Sequence, residues 1–366
     1  MNESKATRYQ RGRRRAHAAG VLSGGIVLAV LALTSVGASL GAWGQGVVAS
    51  WPGIFRLPAA LVLFTGACAL LWEVAWLPAL WYLGSRVDSR YGRGADRSEL
   101  LSAQVQAMLV GVATATLAGA AIQIGALVAG GWWWVLASGM LAGILVAAMH
   151  LGPAILARAA GAQPIERPAL VERLGVLARQ VRVPIESIDV LPESASLTDT
   201  ALVAGGGGAR RVFVAAELLR DWSDEEIAVV IAHELAHHAH HDLWQTLAVD
   251  VAVLAAGFWT ADRAIALAGG SASELAALPL IALIAGAIWL LSAPLRHGLS
   301  RWQERRADVF ALGLTGHAGA FQAAIRRLAA RHLAEERPSL LTRWWFHRHP
   351  PAAERLRVAD SLQRRG

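Results

Sequence analysis

Long stretches of this chain carry no charged residue, and those stretches predict its architecture. A helix crossing a bilayer needs about 20 predominantly apolar residues. Six segments meet that test: residues 21–43, 57–83, 101–130, 132–157, 243–268 and 275–295. A water-soluble helix of such length would need a polar face, which these segments lack. Gly130-Gly131 separates the third segment from the fourth, with Trp132-Trp133-Trp134 following. This predicts a tight helical hairpin with an aromatic anchor at the membrane interface. Asp250 interrupts the fifth segment, and Asp262-Arg263 crowd its end. The first segment follows the basic stretch Arg11 to Arg15, as the core of a signal peptide would. Its apolar run is longer than the roughly 7–15 residues of such a core, so it reads as a retained signal anchor.

The stretch 158–242 has a different texture. Leu170, Leu174, Leu177 and Val181 recur at helical spacing over 166–181. Pro184 then opens a short β region comprising Ile188–Leu191, Ala201–Ala204 and Arg211–Ala215. Gly205 to Gly208 join the last two as a hairpin, because glycines permit any turn geometry. A phosphate-binding reading of those glycines fails, since no lysine or strand-to-helix pattern of a P-loop follows. Ser223 and Glu226 form a capping box that opens a further helix.

Composition agrees with a membrane protein: of 366 residues, 55% are hydrophobic and 17% charged, with a mean hydropathy of +0.42. The net charge of +7 does not point to nucleic acid. Its cations flank the apolar segments and gather near both termini, outlining no recognisable nucleic-acid module. They follow the positive-inside pattern instead. The N-terminal tail is arginine-rich, and Arg86, Arg90, Arg93 and Arg97 follow the second segment, which places both in the cytoplasm. Counting spans forward places 158–242 and everything after 296 on that side as well. The single cysteine, Cys68, excludes an internal disulfide and any multi-cysteine metal site.

The chemistry concentrates at His233-Glu234-Leu235-Ala236-His237. On a helix, positions i and i+4 share a face, so two imidazoles at that spacing can bind one zinc ion and the glutamate between them can reach its water. Zinc lowers the pKa of bound water, and Glu234 is placed to accept the proton as a carbonyl is attacked. A catalytic zinc needs a third protein ligand. Glu304, in Glu304-Arg305-Arg306-Ala307-Asp308, supplies one on the continuation of the sixth span. Asp308, one turn further, is a candidate to orient a ligand imidazole from behind. The bland alternative for both acids is an ion pair with Arg301 or Arg305. His238, His240 and His241 point in different directions on a helix and read as a solvated cluster, not a second metal site. Glu73 and Asp250 lie inside apolar segments, where acids face a polar interior or pair with an arginine or the backbone.

Four motifs in order carry a family resemblance: His233 to His237, Ser300 to Asp308, Leu314-Thr315-Gly316, and His349-Pro350-Pro351 with Glu354-Arg355. Together, from about residue 158 to the C-terminus, they resemble the CAAX prenyl protease family with its bacterial heat-shock membrane protease relatives. The resemblance implies one zinc ion per chain on His233, His237 and Glu304, with Glu234 as base. It further implies that His349 stabilises the oxyanion of the tetrahedral intermediate; a surface histidine stiffened by Pro350 is the plainer alternative. A strand near 196–205 would be the edge along which an extended substrate lies. Family members often begin that strand with asparagine-alanine. Here Thr200-Ala201 stands instead, which keeps backbone pairing and removes the asparagine side chain.

The predicted fold is therefore a multispanning α-helical membrane protein with a small α+β zincin-like cytoplasmic catalytic domain. Residues 1–157 hold the tail and four spans, 158–242 the edge strand and metal-binding helix, 243–295 two further spans, and 296–366 the third ligand and the His-Pro motif. The expected function is zinc-dependent endoproteolysis, in quality control, of membrane or membrane-associated proteins at the cytoplasmic side of a bacterial cell membrane. Protein or peptide substrates and the lipid bilayer are the expected partners, with no nucleic acid. Neither oligomeric state nor prenyl recognition follows from the sequence. A non-catalytic membrane scaffold and a zinc-containing signalling sensor are the rival readings. A scaffold has no need of Glu234, and no segment is long enough for the extracellular domain such sensors usually carry.

Overall fold

The computed structural model describes residues 4–94, 96–192, 201–208 and 210–364. Thr200 lies outside the described residues. The chain forms two compact units, one of Met1–Ala142 with Asp250–Ser292 and the other of Gly143–Val249 with Ala293–Gly366.

The first unit is helical. It contains α1 (Lys5–Leu33), α2 (Ser35–Val47), α3 (Gly53–Tyr82), α4 (Arg97–Ala129) and the start of α5 (Trp133–Ala160). Two glycines of α1 admit two rings of α3: a Cβ on Gly20 would lie 2.4 Å from Trp76, and one on Gly24 would lie 2.6 Å from Trp72. Small residues that let helices approach are the usual packing device in lipid, where burial of apolar surface drives nothing. Thr34 interrupts the predicted 21–43 segment. Its hydroxyl donates back to the Val30 carbonyl and accepts from the Val36 amide, ending α1 and starting α2. At Gly130 the chain reverses as expected, for a Cβ on Gly125 would lie 2.8 Å from the carbonyl oxygen of Trp133. Tyr9 donates to Asp88 across 2.9 Å, so the basic tail and the arginine-rich segment after α3 share one end of the unit. Glu73 accepts from Gln104 at 2.9 Å, a polar partner on α4.

The second unit carries a four-stranded sheet ordered β1-β2-β4-β3, made of β1 (Gln163–Pro164), β2 (Ser187–Leu191), β3 (Ala201–Ala204) and β4 (Arg211–Ala215). β2 and β4 pair in parallel, while β1 with β2 and β3 with β4 run antiparallel. β3 is thus an edge. Helices α6 (Pro168–Gln180), α7 (Ala216–Asp221) and α8 (Asp224–Ala239) follow or interleave with the strands, and α9 (Asp242–Leu267) runs on into the first unit. Leu170, Leu174 and Leu177 of α6 join Val212 and Val214 of β4 and Ile227, Ile231 and Leu235 of α8 in one buried core. That core fixes one face of α8 and leaves the opposite face for chemistry.

The predicted sixth span is broken. α10 (Leu278–Leu291) and α11 (Ala293–Thr315) meet at Ser292 with a 48° bend. Pro294, in the first turn of α11, has no N–H to continue the ladder of α10. The chain finishes with α12 (Ala318–Arg331), α13 (Leu340–Phe346) and α14 (Ala352–Gln363). Among the described residues, four helical runs are long and apolar enough to cross a membrane: Lys5–Leu33, Gly53–Tyr91, Ser98–Ala160 and Asp242–Leu267. The bent pair α10–α11 makes a fifth if it counts as one span. The run Ser98–Ala160 contains both arms of the Gly130 hairpin.

Candidate metal centre

α8 begins with the capping box foreseen in the sequence. The Ser223 hydroxyl accepts the Glu226 amide at 3.2 Å, and the Glu226 carboxylate accepts the Ser223 amide at 2.9 Å. Asp224, Glu225 and Glu226 in its first turn face the positive end of the helix dipole. Three turns on, His233 and His237 project together, and α11 brings Glu304 against them. One ligand atom from each of the three lies within 4.8 Å of the others.

The spacing suits zinc. Two nitrogens bound to a tetrahedral zinc stand about 3.4 Å apart, given bonds near 2.0–2.1 Å. The Nε2 atoms of His233 and His237 are 3.3 Å apart. Glu304 presents Oε2 at 3.3 Å from His233 and Oε1 at 3.7 Å from His237. Glu304 Oε2 is buried and accepts no hydrogen bond. Two ring nitrogens and a carboxylate this close call for one cation, a proton or a metal, between them. Burial disfavours a proton on His233, yet contacts with Asp308 and Glu304 outweigh it and push its pKa up to about 9. In the metal-free site the two acids thus favour a proton on this ring.

Each imidazole has its own carboxylate, and each carboxylate its own arginine. His233 Nδ1 stands 3.0 Å from Asp308, which receives both arms of Arg355 at 2.9 and 2.5 Å. His237 Nδ1 stands 2.8 Å from Asp242, which also receives Arg306. The hydrogen bond to Asp242 holds the His237 ring in the tautomer that leaves its Nε2 free for metal; Asp308 sets a negative charge beside His233 Nδ1. Asp308, the acid singled out in the sequence, is the one beside His233. Asp242, Arg306 and Arg355 were missed in this role, although an acid five residues beyond His237 at the start of α9 was a legible signal. The ion pair from Glu304 to Arg301 does not form. Arg301 instead donates to the carbonyls of Arg343 and His347, at 3.0 and 2.7 Å.

That hook carries the segment after α13 to the site. His349 Nδ1 lies 2.9 Å from Glu304 Oε1 while its side chain stays 68% exposed, at the mouth of the pocket. Glu234 is partly buried, and burial raises its carboxyl above the ordinary range against the pull of His233 and His237. A carboxylate so placed is a stronger base than one in water.

The histidine cluster after His237 is not uniformly solvated. His238 is buried; its Nδ1 accepts from Arg210 at 3.2 Å, so its Nε2 carries the hydrogen that reaches the carbonyl of Val203 at 2.9 Å. The residue next to His237 therefore fastens edge strand β3 to α8. Burial lowers its pKa, favouring the neutral ring that this pairing requires. His240 packs edge-on against Phe310, and only His241, in the left-handed region at φ 59°, is exposed as expected. Ala201 lies on β3, paired with Val214.

Residues 164–363 match the sequence profile of peptidase family M48. An uncharacterized metalloprotease of Bacillus subtilis, YhfN, is 26% identical over 207 residues, 54% of this chain and 49% of its own length; the chain thus spans about half of that relative. A protease HtpX homolog from Gemmatimonas aurantiaca is 26% identical over 279 residues, covering 69% of this chain and 97% of its own. Another, from Acidiphilium cryptum, is 30% identical over 223 residues, 54% of this chain and 75% of the homolog. The crystal structure of S. mikatae Ste24p superposes with a TM-score of 0.75 over 88% of this chain and 80% of that one, at 17% identity, a likeness of fold.

Proposed function

This chain belongs to peptidase family M48, and from that premise we propose that it is a membrane-embedded zinc endopeptidase. Its substrates would be membrane or membrane-associated proteins met at the cytoplasmic face, in protein quality control. The observation that carries this reading is the convergence of His233, His237 and Glu304, each imidazole backed by a separate acid. The cytoplasmic side rests on the arginines, whose N-terminal cluster and post-α3 cluster lie at one end of the helical unit.

In the proposed reaction His233, His237 and Glu304 would hold the metal, which would supply a Lewis acid for the scissile carbonyl and for the attacking water. Glu234 takes the proton from the attacking water and returns it to the departing amine. His349, exposed at the mouth of the pocket beside Glu304, donates to the oxyanion as it forms. β3 offers its open edge to the extended substrate backbone. Purified in detergent and loaded with zinc, the protein should cleave an unstructured protein; chelation should stop cleavage and zinc restore it. Failure to cleave several such substrates with zinc bound would favour the scaffold or sensor.

His238 tests the role of the edge. His238→Ala leaves the Val203 carbonyl without its donor at a cost of about 1–3 kcal/mol. If β3 binds substrate, KM should rise on the order of tenfold with kcat little changed. His238→Gln, whose amide can reach the same carbonyl, should recover most of the loss. Equal loss of kcat with unchanged KM would remove β3 from substrate binding.

A further inference from the structure

α13 is built the wrong way round for a water-soluble helix. Ser339 caps it, accepting the Thr342 amide at 3.2 Å. Its attachments are polar: Arg301 holds the carbonyl of Arg343, His297 Nδ1 approaches the carbonyl of Trp344 at 3.2 Å, and Arg343 pairs through both arms with Glu354. None of its residues is buried, and Leu340, Leu341, Trp344, Trp345 and Phe346 all face outward, with Leu341 76% exposed. Leu295 on α11 is exposed as well, at 65%. Seven residues are too few to hold a helix unaided, so the fold spends its polar contacts on displaying an apolar surface. Contiguous surfaces of that kind mark contact sites.

We propose that α13 lies in the headgroup layer of the bilayer, with its leucines and aromatic rings inserted toward the acyl chains and the His349 segment held just outside. Three features select lipid as the occupant. Adjacent tryptophans beside leucines are the composition of a membrane–water boundary. Arg337 and Arg348 bracket the helix, both exposed and placed for anionic headgroup phosphates. The helix is moored to the first turns of α11, which begins one residue after α10, and α10 is apolar throughout. This inference rests on the membrane reading of the apolar helices and is independent of catalysis.

The test is a nitroxide scan of the full chain, with Cys68→Ala as background, in vesicles of phosphatidylethanolamine and phosphatidylglycerol. Labels go on Trp344→Cys and Leu341→Cys, with Arg357→Cys as an aqueous reference and Leu109→Cys, exposed on α4, as a lipid reference. Zinc content verifies that each variant is folded. The expected result is that 344 and 341 collide with oxygen in preference to a water-soluble nickel chelate, at a depth of about 5–10 Å below the phosphates. Nickel access at both sites while 109 reads as lipid overturns the proposal alone. Poor access to either reagent shows a protein partner on the helix and overturns it too. If 109 also reads as water, the membrane reading falls and the proposal with it.

Discussion

Glu234→Gln should retain zinc in full and lose about 100- to 10,000-fold in kcat, the usual contribution of a positioned general base. The substitution keeps size and hydrogen-bonding capacity and removes the ability to take up a proton. In the proposed site the ligand atoms would come from His233, His237 and Glu304, with Asp308 and Asp242 behind the two rings, so the substitution would alter nothing that holds the metal. Metal content by elemental analysis and cleavage of an unstructured protein should therefore part company. KM should change little, because β3 and its His238 clamp are untouched. Full metal with near-normal turnover would show that another group takes the proton and would displace Glu234 from the proposed mechanism. Loss of metal together with activity would show that Glu234 helps hold the ion.

What the sequence revealed was local. The i, i+4 histidines, the Ser223–Glu226 box, the reversal at Gly130 and the short β segments each depend on residues a few positions apart, and the structure has each in place. Glu304 could be singled out because a catalytic metal demands a third ligand downstream on another helix, and the structure has its carboxylate beside both imidazoles. The contacts that span the chain were not legible. Periodicity along α8 cannot show that Arg355 will fold back onto Asp308, or that Arg306 will meet Asp242. His238 misled for a related reason: a histidine in a polar run looks solvated, and only the placement of β3 reveals the carbonyl that buries it. The breaks at Thr34 and Ser292 were hidden because hydropathy continues across both, while backbone hydrogen bonding does not.

Arg355→Ala should destabilise the protein by about 3–5 kcal/mol, the cost of leaving one partner of a buried pair alone. Asp308 is 1% exposed and Arg355 14%, so water cannot readily take the place of the lost guanidinium. A stranded Asp308 can neutralise itself only by taking a proton or by drawing one onto His233. A proton carried by the His233–Asp308 pair disfavours the neutral, metal-facing ring. Zinc affinity should consequently fall about 10- to 100-fold, as when a group behind a metal ligand is removed. Arg355→Lys should recover part of the stability, since it restores one positive charge and not the two-armed geometry. Thermal unfolding in detergent, with and without zinc, separates the two effects: the metal-free protein reports the buried pair, and the increment on adding zinc reports affinity. A variant that melts and binds zinc like the wild type would mean that Asp308 is already neutral in the folded protein, with a tautomer of His233 set by some other group.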